Sequence, residues 1–447
     1  MRILSIVHQF PPEFHSGTEI LCLSTVQFLA RRGHDVHVIT ADRKTPRGKK
    51  ARRQRLYEID VTYIPTGEPP HFGLVADLRD EFEREELIGV LTDHTRQFSP
   101  DIIHAHHFLG FGLLALPAVA DIAPLVISAT DFSLVCPYTI ALLPDGRLCA
   151  GPDTDGTNCV NHHLARPSFD GTAPSSGWKT VLKRSADQII ALAGLPTVEG
   201  TRRMVGERLA AARRAGGVAA RILVSSEKIG SMLAAAGLPA ERIMMLPHQA
   251  PPLAVGDEPV RIPLRIGFLG VMSWHKGAHV LVEAVCLLPP DLPFELVIRG
   301  DLDAYPAYVR KLKSRAAADE RIRIVDRVPF DRFGEAMSEI DVLVVPSLWA
   351  ENAPLVLLSA LQAGRYVVIA DMPGLTASLP DGDCGCVVPA GNASALARVI
   401  EQLVRDPSPV MRARARRGHG KSFTRYVDAI EAVYREATTT PAIGESS

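Results

Sequence analysis

What this chain lacks narrows its class before any motif is read. None of its 447 residues falls in a run of roughly 18 uninterrupted apolar residues, the length of a membrane span. The amino end, MRILSIVHQFPPE, carries one basic residue and a short apolar run broken at Pro11, with no small-residue cleavage site behind it. It therefore reads as a first strand and not as a secretory signal. Charge of neither sign prevails: 49 Lys and Arg against 50 Asp and Glu give a formal charge of −1, so no global field draws nucleic acid or a membrane. Seven cysteines are an odd number in a long chain without a signal, which argues against a disulfide framework and leaves reduced thiols or a metal site. A cytoplasmic protein is expected.

What is present is a globular balance, 47% hydrophobic and 22% charged, in a chain too long for one ordinary core. Short Ile- and Val-rich runs alternate with segments of helical period, the pattern of βαβ units on parallel sheets. Strands are expected at Ile3–His8, Val36–Ala41, Ile102–His106, Leu125–Ala129 and Ile222–Ser225. A second set begins at Leu264 and runs through Ile266–Leu269, Leu296–Ile298, Ile322–Val325, Val342–Val345 and Val367–Ala370. The fold class that follows is α/β, with two Rossmann-like, doubly wound parallel-sheet domains facing a cleft. Residues 1–246 form the first domain, with a Cys-rich insertion at about 133–165; the proline-rich stretch 247–263 is a linker, and 264–422 form the second domain. A helix over 423–437 and a polar tail, 438–447, complete the chain.

Several motifs fall at expected strand ends. The loop PPEFHSGTE ends in Gly17 and opens a helix, Ile20–Arg32, whose amino end favours an anion; a plain βα turn is the alternative. PDIIHAHHF places His104, His106 and His107 at a strand end, where His106 is the candidate to contact a sugar or shuttle a proton and packing is the competing role. Asp131, delivered by the strand Leu125–Ala129, is a candidate to orient a sugar hydroxyl, or a loop cap. Cys136, Cys149, Cys159 and His162 (or His163) share one loop-rich insertion and suit a structural zinc ion, against the alternative of buried thiols. RKTPRGKKARRQR, Arg43–Arg55, carries eight basic residues; it reads as a solvated mobile loop or as a patch for an anionic membrane surface, and the lack of interleaved aromatics disfavours nucleic acid. The richest stretch is DVLVVPSLWAENAPLVLLSALQAG, which sets Glu351 at a strand's carboxyl end beside a helix amino terminus. FLGVMSWHKG brings Lys276 to the end of that domain's first strand, where an ammonium can neutralise a leaving diphosphate.

With FPPEFHSGTE, GHDVHVIT, PDIIHAH, TDFSLVCP and the two stretches just quoted, the chain resembles family-four retaining glycosyltransferases of the GT-B fold (glycosyl transferases group 1) over nearly its whole length. The resemblance implies a nucleotide diphosphate sugar held by the C-terminal domain, an acceptor on the N-terminal one, a last helix that crosses back to the first domain, and no metal in the reaction. It gives Lys276 the diphosphate and Glu351 the donor sugar, as the first of a paired-glutamate motif. Donor contacts are expected at Gly17, Gly270, Lys276, Glu351, Asn352, Ala353, Pro354, Leu355 and Ser359, and catalytic roles at Glu351, Lys276, His106 and Asp131. Three positions depart from the pattern: Ser359 stands for the second glutamate, Val271 for the arginine that partners the lysine, and Thr130 for a histidine on the acceptor side.

The function expected is hexosyl transfer, with retention, to a glycan, lipid-linked or small-molecule acceptor, in polysaccharide biosynthesis, by a cytoplasmic enzyme that could rest on the inner membrane face. The alternative is a non-catalytic relative that binds a glycan or a partner enzyme. A dinucleotide-dependent oxidoreductase is disfavoured because no G-x-G-x-x-G follows either first strand.

Overall fold

The computed structural model describes residues 1–14, 16–67, 79–143, 145–153, 156–165, 198–256, 258–380, 382–418 and 422–439. Its described residues pack into two units. The first comprises those up to Pro247 together with Thr424–Thr439, and the second comprises those from His248 to Phe423. Most of the stretch expected as a linker therefore packs with the second unit, and Ala250 and Val255 within it are buried.

The first unit is built on β1 (Arg2–Val7), β2 (Asp35–Asp42), β3 (Arg52–Leu56), β4 (Ile59–Pro65), β5 (Ile102–Ala105), β6 (Leu125–Ala129), β7 (Arg221–Val224) and β8 (Ile243–Met245). Their order is β3-β4-β2-β1-β5-β6-β7-β8, parallel throughout except for the edge strand β3. β5 and β6 are buried along their whole length, which explains why they read as continuous apolar runs and do not alternate. The helices are α1 (Gly17–Arg31), α2 (Arg79–Phe82), α3 (Glu85–Phe98), α4 (Ala115–Ala120), α5 (Thr157–Ala165), α6 (Val198–Val218) and α7 (Glu227–Ala235).

The second unit has six parallel strands, β9 (Leu264–Leu269), β10 (Phe294–Arg299), β11 (Ile322–Val325), β12 (Val342–Val345), β13 (Tyr366–Ala370) and β14 (Gly385–Val388), in the order β11-β10-β9-β12-β13-β14. Its helices are α8 (Ala278–Val285), α9 (Pro306–Ala316), α10 (Phe333–Ser338), α11 (Leu355–Gln362), α12 (Ala393–Arg405) and α13 (Ser408–Ala415). Alternate residues of each strand enter opposite cores. Ile266, Leu296, Val342 and Val368 pack with α8, α9 and α12, whereas Val297, Leu343, Val345 and Val367 pack with α10 and α11. Both faces of the sheet are thus covered, as a doubly wound fold requires.

The last helix, α14 (Phe423–Thr439), lays Val427, Ile430, Val433 and Tyr434 into the first unit. Arg32 bonds Asp428 at 2.7 Å and Glu431 at 3.0 Å, and the Tyr434 hydroxyl meets His104 Nδ1 at 2.6 Å. The helix continues through Thr438 and Thr439, two residues expected in the tail; the rest of that tail lies outside the described residues.

The basic run is an exposed loop as far as Ala51, as expected, and a strand from Arg52 on. Arg52–Leu56 pair with β4, Arg52 lies 3.6 Å from the Tyr63 ring centroid, Arg47 bonds Glu86, and Lys44 bonds Glu13. Two of its eight basic residues, Lys44 and Arg47, thus meet acids distant in sequence, which a local charge count cannot see.

Candidate active site

In an open α/β sheet ligands bind beyond the carboxyl ends of the strands, where the strand order reverses. In the second unit that point lies between β9 and β12. β9 runs out at Leu269 and the chain makes a single 3₁₀ turn, Trp274–Lys276, before α8. Gly277 closes this turn at φ 76°, with its Cα packed so closely that a Cβ would stand 1.9 Å from the Pro346 carbonyl oxygen. Only glycine fits there, and the approach sets Lys276 against the loop that follows β12.

That loop runs from Pro346 to Pro354, which caps α11. The Leu348 N–H donates to the His275 carbonyl at 2.7 Å, tying the two loops together. Lys276 Nζ lies 2.8 Å from Glu351 Oε1 and 4.7 Å from the Trp349 ring centroid, and the Ser347 hydroxyl donates to the same carboxylate oxygen at 2.7 Å. The Glu351 side chain is 4% exposed and that of Lys276 21%. From the opposite side Gly374 approaches so closely that a Cβ would stand 1.7 Å from the Glu351 carbonyl oxygen. Asn352 and Ala353 are buried, and the first turn of α11, from Leu355, directs its N–H groups out of the helix end. Gly270 approaches Gly300 back to back, Ser359 is buried on α11, and Val271 is an exposed apolar side chain.

The first unit carries its own polar cluster at its own switch point, between β1 and β5. His107 Nε2 bonds Asp131 Oδ2 at 3.1 Å, while its Nδ1 accepts from the Leu109 N–H, so the tautomer is fixed with the proton on Nε2. Asp131 also accepts the Ser133 N–H at 2.8 Å. Burial acts to raise the Asp131 carboxyl, but His107 and Ser133 outweigh it and hold the group below its ordinary value. His8, at the end of β1, bonds Glu19 at 3.2 Å and lies 4.1 Å, ring to ring, from His107. Glu19 is almost wholly buried at the start of α1 and is bonded by Ser16; burial raises its carboxyl. The Thr130 hydroxyl meets Thr18 at 3.0 Å. Beside Gly17 no described residue lies within 4 Å of where a methyl group would stand.

Of the three strand-end histidines, it is His107 that bonds Asp131. His106 is buried and stacked 3.9 Å from His104, and His104 bridges Tyr434 and Ser128 as part of the core. Sequence reasoning missed His8 and Glu19. The signal was there: an acid two residues into an otherwise apolar helix, opposite a histidine that closes the first strand.

The zinc set is not formed among the described residues, and the side chain of His163, the alternative ligand, lies outside them. Among the described residues no group of three or more His, Cys, Asp or Glu is arranged to hold a metal ion. The Cys149 sulfur instead accepts the Gly151 N–H at 3.3 Å, and Cys159 packs on the apolar patch of Val160, Met204, Val205 and Leu209. Burial above all, and then the neighbouring Cys136 and Cys149, push the Cys159 thiol up to about 12.

The buried histidines have a measurable consequence. Burial holds His8 and His104 well below their ordinary value of 6.5 and lowers His37 and His248 to about 4. Each is neutral in the folded chain, so below pH 6.5 the unfolded chain binds more protons and stability falls with pH. Each site contributes a slope of about 1.4 kcal/mol per pH unit once its unfolded form is protonated. The urea midpoint is expected to drop steeply between pH 6.5 and 4.5 and to be nearly flat from pH 7 to 8.

Comparison with known proteins identifies the family. The family model for a glycosyl transferase 4-like domain covers residues 16–248, and that for glycosyl transferases group 1 covers residues 263–406. A D-inositol 3-phosphate glycosyltransferase of Catenulispora acidiphila is 24% identical over 94% of this chain and 91% of its own. A phosphatidyl-myo-inositol mannosyltransferase of Mycobacterium leprae is 32% identical over 34% of this chain and 39% of its own. Among solved structures, sucrose-phosphate synthase from Thermosynechococcus elongatus superposes with a TM-score of 0.67 at 15% identity, covering 97% of this chain and 98% of that one. Anabaena HepE in complex with UDP and glucose does so with 0.62 at 15% identity, covering 97% and 99%. At such identities the structural likeness establishes the two-domain GT-B fold. The family rests on the sequence models: this chain belongs to the glycosyl transferase 4-like, group 1 family of glycosyltransferases.

Proposed function

We propose that the enzyme transfers a hexosyl group, with retention, from a nucleoside diphosphate sugar held by the second unit to a hydroxyl of a phosphorylated polyol or lipid-linked acceptor held by the first. The observation that carries this reading is the Lys276–Glu351 pair at 2.8 Å, at the carboxyl edge of the β9–β12 switch point. An ammonium at this place, with the N–H groups of the first turn of α11, suits the two phosphates of a departing diphosphate. When phosphate takes Lys276, the Glu351 carboxylate is released to accept hydrogen bonds from the donor sugar while Ser347 keeps it oriented. Catalysis is then charge stabilisation and positioning, with no protein nucleophile assigned. On the first unit Asp131, held by His107 and Ser133, accepts a hydrogen bond from the acceptor hydroxyl.

The acceptor class follows the relatives: one named for inositol 3-phosphate, another for phosphatidyl-inositol, and a third, from Rhizobium leguminosarum, for the lipopolysaccharide core. A lipid-linked acceptor, and a place in envelope polysaccharide synthesis, would give the exposed basic edge around Lys49 and Lys50 a role at an anionic membrane face. Among the described residues no helix is long and apolar enough to cross a membrane.

Calorimetry with UDP, GDP, ADP and their hexose conjugates tests the donor half. One conjugate is expected to bind, and Lys276→Ala to weaken it by about 10- to 150-fold, the worth of a charge-assisted bond of roughly 1.5–3 kcal/mol. Equal binding by the variant would remove Lys276 from the donor site.

A further inference from the structure

Lys276 is held from two sides within the second unit. Glu351 Oε1 accepts one of its N–H bonds at 2.8 Å, and the Trp349 ring presents its face on another side, with the ring centroid 4.7 Å from Nζ. An ammonium over an indole face at that range is attracted by the ring's quadrupole without using an N–H donor. The ring itself is fixed. Trp349 is 8% exposed, its ring and that of His275 meet edge to face at 5.5 Å and 78°, and the neighbouring Leu348 N–H is tied to the His275 carbonyl at 2.7 Å. The indole N–H is buried and has no hydrogen-bond partner among the described residues. A buried tryptophan usually finds a partner for that group, so this ring is placed by its faces and edges and not by its polar tip.

We propose that Trp349 is a positioning residue for Lys276: its ring face keeps the ammonium in place for the diphosphate once Glu351 has let it go. The role rests on the donor-site reading, in which the carboxylate turns to the donor sugar, whereas the contact of ring and ammonium does not. In the unliganded chain Glu351 and Trp349 share the hold. With the donor bound, the ring keeps its attraction and leaves all three N–H groups of the ammonium to phosphate oxygens. The Lys276 side chain is 21% exposed on a flexible four-carbon stem, so without the ring the ammonium of the free chain turns out to water and has to be drawn back for binding.

Two measurements on the full chain test this. Replacing Trp349 alone by tryptophans with one, two, three and four ring fluorines keeps the shape of the ring and drains negative charge from its face. In calorimetry with UDP, GDP and ADP and their hexose conjugates, affinity for the preferred conjugate is expected to fall stepwise along this series, by about tenfold in all, the scale of a partly desolvated cation–π contact. In a Lys276→Ala background the series is expected to be flat. The second measurement needs no nucleotide: by NMR of the chain with isotope-labelled lysine, the ring current of Trp349 is expected to shift the Lys276 ε-methylene protons upfield, and Trp349→Leu to abolish the shift. Affinity within twofold across the fluorine series overturns the proposal, as does an equal gradient without Lys276 or a Lys276 shift that Trp349→Leu leaves unchanged. If wild type binds no nucleotide or conjugate, the donor-site reading fails, and the ring current still decides whether Trp349 holds Lys276.

Discussion

Glu351→Gln is expected to lower kcat by about 10²–10³ while the chain stays folded, a loss of roughly 2.7–4 kcal/mol of transition-state stabilisation. The substitution keeps the shape of a side chain that is 4% exposed and still lets Ser347 and Lys276 find a polar partner, so packing is nearly unchanged. What it removes is charge. In the transfer we propose, positive charge grows on the sugar and negative charge on the diphosphate as the glycosidic bond breaks, and a carboxylate by the sugar and an ammonium by the phosphates would answer the two separately. In the unliganded chain these groups neutralise each other at 2.8 Å, which keeps a nearly buried carboxylate tolerable until the donor arrives. A purely structural ion pair would give the opposite result: a fall in the unfolding midpoint with turnover per folded molecule unchanged. Unfolding midpoint and steady-state turnover of the same preparation separate the two.

The second large effect is expected from Gly277→Ala. Its φ of 76° penalises any Cβ, and the new atom would stand 1.9 Å from the Pro346 carbonyl oxygen, a backbone atom that cannot rotate away. Either the turn at Trp274–Lys276 or the end of β12 must move. A loss of about 3 kcal/mol or more is expected, the scale of overpacking a close-packed contact, with activity falling more than stability because Lys276 is carried off its partner. Urea titration and turnover on the folded fraction measure both. Gly17→Ala is the contrast, since no described residue crowds that position and the fold is expected to tolerate it.

The fold was legible because parallel strands buried on both faces must be apolar throughout. Val342–Val345 appeared in the sequence with the same bounds as in the structure, and Val367–Ala370 differed by one residue. Strands without that signature escaped. β3 is RRQRL, an edge strand whose side chains face solvent and acids from elsewhere, and β14 is the short GCVV, broken by glycine. At the site, Lys276 and Glu351 stood out because each follows an apolar run directly, but their 2.8 Å contact spans 75 positions and no spacing rule reaches it. The same holds for His107 with Asp131, 24 positions apart, whose meaning depends on burial and partners. The zinc expectation failed for a related reason: spacing shows which thiols are present, and only packing shows that Cys149 is bonded to backbone and Cys159 lies against an apolar patch.

Sugar transfer at the Lys276–Glu351 site is tested most directly by incubating wild type, Lys276→Ala and Glu351→Gln with anomerically pure UDP-, GDP- and ADP-hexoses and a phosphorylated inositol acceptor, following nucleotide release and the anomeric proton of the product by NMR. Wild type is expected to form a glycoside with the donor's own anomeric configuration from one of these sugars, and both variants to be slower by about two orders of magnitude, the scale of removing a charged group from a transition-state site. A product of inverted configuration, or turnover by the variants equal to wild type, would contradict transfer with retention at this pair.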